Sequence, residues 1–236
     1  MAIARWKDLC VDVAAPTATG TEAAFWAAAL GLRHEADHHD PAEVGKLVGD
    51  LPTQTVWLNV VPEPKTVKNR VHLDVHVGAV ADLEALGARA LSAPGEFPWT
   101  VMADPEGQDF CAFVREEVPA YKLYEIVVDV ADGPRIARWW HEVLGGDYGE
   151  EGSDGLVDGY LEQVPGLPFE GIVFGNVPEP KTVKNRVHWD VDVDGPEGLE
   201  ALVAHGATIL RARDEDIGWT VLADPEGNEF CAFVPD

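Results

Sequence analysis

The 236 residues carry 42 acidic and 17 basic side chains, a formal net charge of −25, with 46% apolar and 25% charged residues. The apolar share is ordinary for a globular chain and excludes bulk disorder. The acidity repels phosphate backbones and anionic headgroups, so nucleic-acid and membrane-surface roles are not expected. Cys10, Cys111 and Cys231 are odd in number and widely spaced, which predicts reduced thiols in the cytoplasm rather than a disulfide framework. The N-terminus lacks a signal-peptide pattern, and no apolar run is long enough to span a bilayer.

In chain order, Leu9 to Val13 is predicted as a short strand, followed by a helix from about Thr21 to Leu30 that Gly31 stops. An acidic, glycine-bearing stretch has a weak strand signal near Lys46–Val48. Thr55 to Val61 and Val71 to Val77 are clear strands. A short helix near Ala81 to Leu86 leads to strands near Ala90–Leu91, Thr100–Met102 and Phe110–Val114. The turn Asp104-Pro105-Glu106-Gly107 joins the last two. After a charged, proline-containing seam at Arg115 to Ala120 the pattern resumes, with a helix from Pro134 to Leu144 opened by proline and a weak strand near Gly155–Val157. Each half thus reads as strand, helix, three strands, twice over. The fold class is α+β with an antiparallel-rich sheet.

The chain is a tandem duplication. Val61 to His72 (Val-Pro-Glu-Pro-Lys-Thr-Val-Lys-Asn-Arg-Val-His) returns unchanged as Val177 to His188, and Asp74 returns as Asp190. Trp99 to Gly107 returns as Trp219 to Gly227 with one change, and Phe110 to Val114 returns as Phe230 to Val234. Phe25-Trp26 and Leu30-Gly31 are echoed by Trp139-Trp140 and Leu144-Gly145. A period of domain size excludes a solenoid and divides the chain into copies 1–118 and 119–236.

These blocks resemble the glyoxalase-like members of the vicinal oxygen chelate superfamily, once per copy. The resemblance implies two tandem domains of paired βαβββ modules, whose sheets curl into cups with the ligand site inside. The superfamily includes isomerases, lyases, ring-cleaving dioxygenases, thiol transferases and drug-binding proteins, so fold alone does not set the activity. Carried over residue by residue, the metal positions of such proteins would be Asp8, His72 and Cys111 in copy one, and Glu125, His188 and Cys231 in copy two. The remaining ligand strand offers Trp57 and Asn59, or Val173 and Gly175, and so no carboxylate or imidazole. The favoured reading is no metal, with Cys111 and Cys231 packed as small hydrophobes. A divalent ion such as zinc is the alternative.

Strand alternation turns His72, Asp74 and His76, and likewise His188, Asp190 and Asp192, toward the cup, opposite an apolar set. His72 and His188 are then general acid–base candidates oriented by Asp74 and Asp190. Four of the seven lysines (Lys65, Lys68, Lys181, Lys184) lie in the repeated block beside Asn69, Arg70, Asn185 and Arg186. The block is either a substrate-binding anion clamp at the cup mouth or a rigid connector whose cations pair with nearby acids; the connector is favoured. Trp26, Trp139, Trp140 and Trp189 read as core, while Trp57, Trp99 and Trp219 could stack on a ligand. The run His34 to Asp40 reads as a solvated loop.

The expected function is a glyoxalase-like enzyme performing isomerase or lyase-type proton transfer on a small organic molecule. The alternative is a non-catalytic drug- or metabolite-binding protein, which the acidity would favour for a cationic ligand. Copy two has Val127 for Cys10 and Asp192 for His76, so the two cups need not be equivalent. Fusion should supply in one chain the partner that completes each cup, giving a monomer with pseudo-twofold domain pairing.

Overall fold

The computed structural model describes residues 2–14, 19–36, 43–153 and 156–234. Four modules follow one another. The first holds β1 (Ala4–Ala14), α1 (Thr19–Leu30), β2 (Arg33–Glu35), β3 (Glu43–Val48) and β4 (Val56–Val61). The second holds β5 (Val71–Val77), α2 (Val80–Ala85), β6 (Arg89–Ala90), β7 (Thr100–Ala103) and β8 (Asp109–Val114). The third repeats this as β9 (Leu123–Val130), α3 (Gly133–Leu144), β10 (Asp147–Ser153), β11 (Leu156–Glu162) and β12 (Gly171–Asn176). The fourth is β13 (Val187–Val193), α4 (Gly195–Ala204), β14 (Thr208–Arg211), β15 (Thr220–Ala223) and β16 (Glu229–Phe233). Two repeated βαβββ pairs thus build the α+β architecture that alternation and turn residues predict.

Two strands escape that reading, β2 and β10. Both are edge strands. Three exposed residues make β2, and β10 (Asp-Tyr-Gly-Glu-Glu-Gly-Ser) has no apolar alternation, Tyr148 being the one of its described side chains packed against the core. Edge strands tolerate such sequences, since hydrogen bonding to one neighbour rather than burial holds them.

Strand order shows how the copies combine. The first sheet runs β14-β15-β16-β13-β1-β4-β3-β2, and the second runs β10-β11-β12-β9-β5-β8-β7-β6. Each sheet therefore takes one module from each copy. At the centre of each, two opening strands pair antiparallel, β1 with β13 and β9 with β5. Each opening strand also runs parallel to the last strand of its own module. The seam of the sequence is not a seam between sheets.

Helices α1 and α3 carry the contacts that join the sheets. Phe25 and Trp26 on α1 meet Phe110 of the second sheet edge-on, with centroids 5.7 and 5.4 Å apart. Trp140 on α3 meets Trp189 and Phe230 of the first sheet at 4.8 and 5.0 Å. Each indole also has a polar anchor: Trp26 Nε1 donates to Asp104 and Trp140 Nε1 to Asp224, both at 3.1 Å. The four expected core tryptophans are all buried, in one apolar cluster spanning both sheets. Burying each such ring stabilises the fold by about 1.5–3 kcal/mol.

Helix ends follow local chemistry. Asp132 caps α3 by accepting from the Arg135 N–H at 3.1 Å, Pro134 occupies the first turn, and Gly145 (φ 78°) ends the helix. At the end of α1, Gly31 adopts φ 70°, and a Cβ there would stand 2.0 Å from the Ala120 carbonyl oxygen. The segment between the copies lies that close because the Lys122 N–H donates to the Leu30 carbonyl at 2.9 Å. Among the described residues no helix is long and apolar enough to cross a membrane.

Candidate functional site

In the first sheet, a cavity of about 230 Å³ is lined from copy one by Lys7 and Cys10 on β1 and Trp57 and Asn59 on β4. Copy two contributes His188 and Asp190 on β13, Trp219, and Cys231 and Phe233 on β16. Register explains the convergence. Cys10 stands opposite His188 across the central antiparallel pair, next to Trp57 on β4, and Asp190 stands beside Cys231 on the parallel neighbour. Trp219 stacks on Phe233 with centroids 5.4 Å apart, and the Lys7 ammonium sits 4.4 Å from the Phe233 ring centre.

The grouping expected within copy one, Asp8 with His72 and Cys111, does not occur. Asp8 lies on the first sheet, whereas His72 and Cys111 lie on the second with Glu125. Module pairing crosses the copies, so copy one's opening strand faces copy two's floor. The groups brought together are Cys10, His188 and Asp190 in the first cup and His72, Asp74 and Cys111 in the second. In each, one nitrogen, sulfur or oxygen ligand atom per residue lies within 4.8 Å of the others.

Electrostatics differ from the expected imidazole-centred picture. Burial lowers the pKa of both histidines, His72 to about 4, so both are neutral. Their Nδ1 atoms make no hydrogen bond, and His72 Nε2 stands 3.6 Å from Asp74 Oδ1, too far for the carboxylate to fix the ring. Asp190 instead accepts from the Cys10 thiol at 3.5 Å. Burial pushes Asp190 up to about 7, against the pull of Lys7 and with a push from Asp8. Asp74 is held well above the carboxylate range by burial and Glu125, and Glu125 rises to about 7 by burial and Glu170. Burial raises all three thiols.

A thiol, an imidazole and a carboxylate within 4.8 Å suit a borderline divalent ion such as zinc, and two of these groups have unpartnered atoms, His188 Nδ1 and Asp190 Oδ1. The described residues thus include two clusters that could hold a divalent metal. Cys231 is buried as expected for a small hydrophobe, but it also faces the cavity, beside Asp190 on the neighbouring strand. Asp8 does not line the cavity. It accepts from the Lys7 ammonium and, at 3.3 Å, from Trp57 Nε1.

Lys7 is the cup residue that alternation misses. The β1–β13 register shifts between Trp6 and Leu9, and the β5–β9 register shifts at the matching place beside Tyr124. A bulge re-aims one side chain, and nothing in an alternating pattern signals it. Cys10, a cup position by its parity with Asp8 and Asp12, does line the cavity; its grouping with His188 and Asp190 is what the sequence does not show.

Trp57 and Trp219 line the first cup, and Trp99 stacks on Phe113 at 5.6 Å in the second. Asn69, Arg70, Asn185 and Arg186 do not line the first cup. They border a separate cavity between the two copies of the repeated block. There Arg70 donates to the Glu179 carbonyl at 2.7 Å and Arg186 to the Glu63 carbonyl at 2.8 Å, a reciprocal clasp. Asn69 and Asn185 bond Gln108 and Asn228. The four block lysines Lys65, Lys68, Lys181 and Lys184 pair with Asp109, Asp129, Glu229 and Asp12. In the acidic run, His34 to Ala36 are exposed, and 37–40 lie outside the described residues.

A family model described as Glyoxalase-like domain matches twice, at residues 8–113 and 125–233. No curated protein matches. Among solved structures, glyoxalase I from Zea mays is 15% identical over 97% of this chain and 92% of its own, with a TM-score of 0.70. A putative dioxygenase from Bacillus subtilis subsp. subtilis str. 168 is 14% identical over 98% and 84%, with a TM-score of 0.62. At such identities the likeness is one of fold.

Proposed function

Because the chain belongs to the glyoxalase-like family and carries its domain twice, we propose that it is an enzyme moving a proton on a small organic molecule, by isomerase or lyase chemistry, in the first cup. One observation carries this reading: His188, Asp190 and Cys10 converge at the base of an aromatic-walled cavity of about 230 Å³. Small-molecule sites combine such apolar walls with a few convergent polar groups. Trp57, Trp219 and Phe233 would hold the substrate body. The Asp190 carboxyl would take a proton from carbon and return it, and neutral His188 would donate or accept beside it. The Lys7 ammonium would face negative charge developing on a substrate oxygen. Cys10, His188 and Asp190 would be the ligands of a divalent ion, which when bound would polarise that oxygen.

The test does not depend on the substrate's identity. A panel of small carbonyl compounds and their thiol adducts is incubated with the protein in D2O and read by proton NMR. Loss of a C–H signal with wild-type protein, slowed about a hundredfold or more by Asp190→Asn, is the expected result. A compound that binds the cup tightly but shows neither exchange nor conversion would instead favour sequestration.

A further inference from the structure

The clasp between the copies encloses a cavity of about 320 Å³ that shares no lining residue with the first cup. Lys68, Arg70, Lys184 and Arg186 line it, with Asp12 and Glu63 as its carboxylates; Lys65 is there too, already bonded to Asp109. In a chain of net charge −25 this is a local concentration of cations, although Lys68, Lys184 and Arg186 each have one carboxylate close by. Lys68 and Lys184 each spend one N–H on a carboxylate, Asp129 and Asp12, and keep 63% and 56% of their side chains exposed. An ammonium has three donors, so two remain on each. Arg186 is nine-tenths buried, yet its Nε and Nη2 make no hydrogen bond, and the nearest carboxylate, Glu106, is 3.6 Å away. Both atoms are closed to solvent, so Arg186 acts on the cavity through its charge, which Glu106 matches only at a distance. Val61, Val67 and Val183 add apolar wall.

We propose that this cavity binds a small organic anion, a carboxylate or phosphate on an apolar body. The anionic head sits between Lys68 and Lys184, within the field of the two arginines, and the body rests on the valines. Because both repeated blocks contribute, one anion bridges the two copies. The site is independent of any activity in the cup.

Isothermal titration of the whole chain with phenyl phosphate, benzoate and inorganic phosphate, at ionic strength fixed with sodium chloride, tests this. The expected result is one site per chain, with at least one organic anion binding more tightly than inorganic phosphate. The tighter of phenyl phosphate and benzoate identifies the head group. Lys68→Met with Lys184→Met keeps the apolar stems and should weaken binding about tenfold or more. Lys68→Arg with Lys184→Arg should retain it, and so should His188→Ala in the cup. Absence of binding, equal affinity for inorganic phosphate, an unchanged Met double variant, or loss of binding in His188→Ala would each overturn the proposal.

Discussion

The two cups share a floor and differ in a wall. Their second and fourth modules supply nearly the same set: His72, Asp74, Cys111, Trp99 and Phe113 in one, His188, Asp190, Cys231, Trp219 and Phe233 in the other. The opening modules, by contrast, place Lys7, Cys10, Trp57 and Asn59 where the second cup has Tyr124, Val127, Val173 and Gly175. In the second cup Tyr124 packs on His76 and Phe113 with centroids 4.6 and 5.2 Å apart, and the Arg115 guanidinium lies over the Phe113 and Tyr124 rings. A second thiol and an ammonium carried on the opening strand itself distinguish the first cup. Duplication preserved the parts that hold a ligand cluster, and the opening strands made two different sites of them.

Since each sheet takes modules from both copies, separating the copies tests the comparison most severely. Copy one alone (1–118) has unpaired β1 and β5 edges, so it should dimerise to complete its sheets or fail to fold. Its dimer would join a Lys7–Cys10–Trp57 wall to a His72–Asp74–Cys111 floor, twice. Light scattering should give twice the fragment mass, and the dimer should show the exchange activity of the whole chain. A dimer of copy two (119–236), with its Tyr124–Val127–Val173 wall, should be inactive. The intact chain should scatter as a monomer of 25.6 kDa. A folded, monomeric copy one would break the argument.

Within the intact chain, Asp190→Asn should slow proton exchange by about 10²- to 10⁴-fold, whereas Asp74→Asn should leave it within about twofold. Equal losses from the two substitutions would show that both cups work and that the differing wall is without consequence.

The metal clusters sharpen the same contrast. Cys10→Val gives the first cup the residue that copy two has at 127, and it removes the thiol that groups with His188 and Asp190. Cobalt(II) titration of metal-free protein, followed through its thiolate absorption bands, should show at least about tenfold weaker binding in this variant, since a soft ligand is lost. Unchanged binding would place the ion elsewhere.

Why the architecture is legible in the sequence and the site only half so follows from what periodicity encodes. Val71 to Val77 alternates over its whole length because one face meets the core and the other the cup, and that strand is found as read. The helix punctuation by Pro134 and Gly145 is equally local. Module partnership is not local: nothing in the order of strands says whether Asp8 faces His72 or His188, since both floors have the same sequence around the histidine. The bulge that turns Lys7 into the cup leaves no trace in alternation either. The residues of the repeated block stand out in the sequence as a concentration of cations, but their distance from the cup depends on how the two blocks meet across the pseudo-twofold.

The smallest expected effect concerns the helices rather than the cups. Glu22 on α1 is buried beside the Asp104 carboxylate, and copy two has Ile136 at the matching turn, four residues before the tryptophan that anchors each helix. Burial, and then the neighbouring Asp104, hold Glu22 well above the usual carboxylate range. The sign follows from linkage. Above about pH 4.3, the ordinary Glu pKa, the unfolded chain releases this proton while the folded chain keeps it, so stability falls as pH rises until the folded pKa is passed. Glu22→Ile removes the titrating group and fits a site already occupied by isoleucine in the other copy. Urea unfolding should show the variant more stable by about 1–3 kcal/mol at pH 8, with the gain shrinking toward pH 5. Parallel stability curves for the two proteins across that range would mean that Glu22 is ionised in the folded chain, with a partner that compensates its charge.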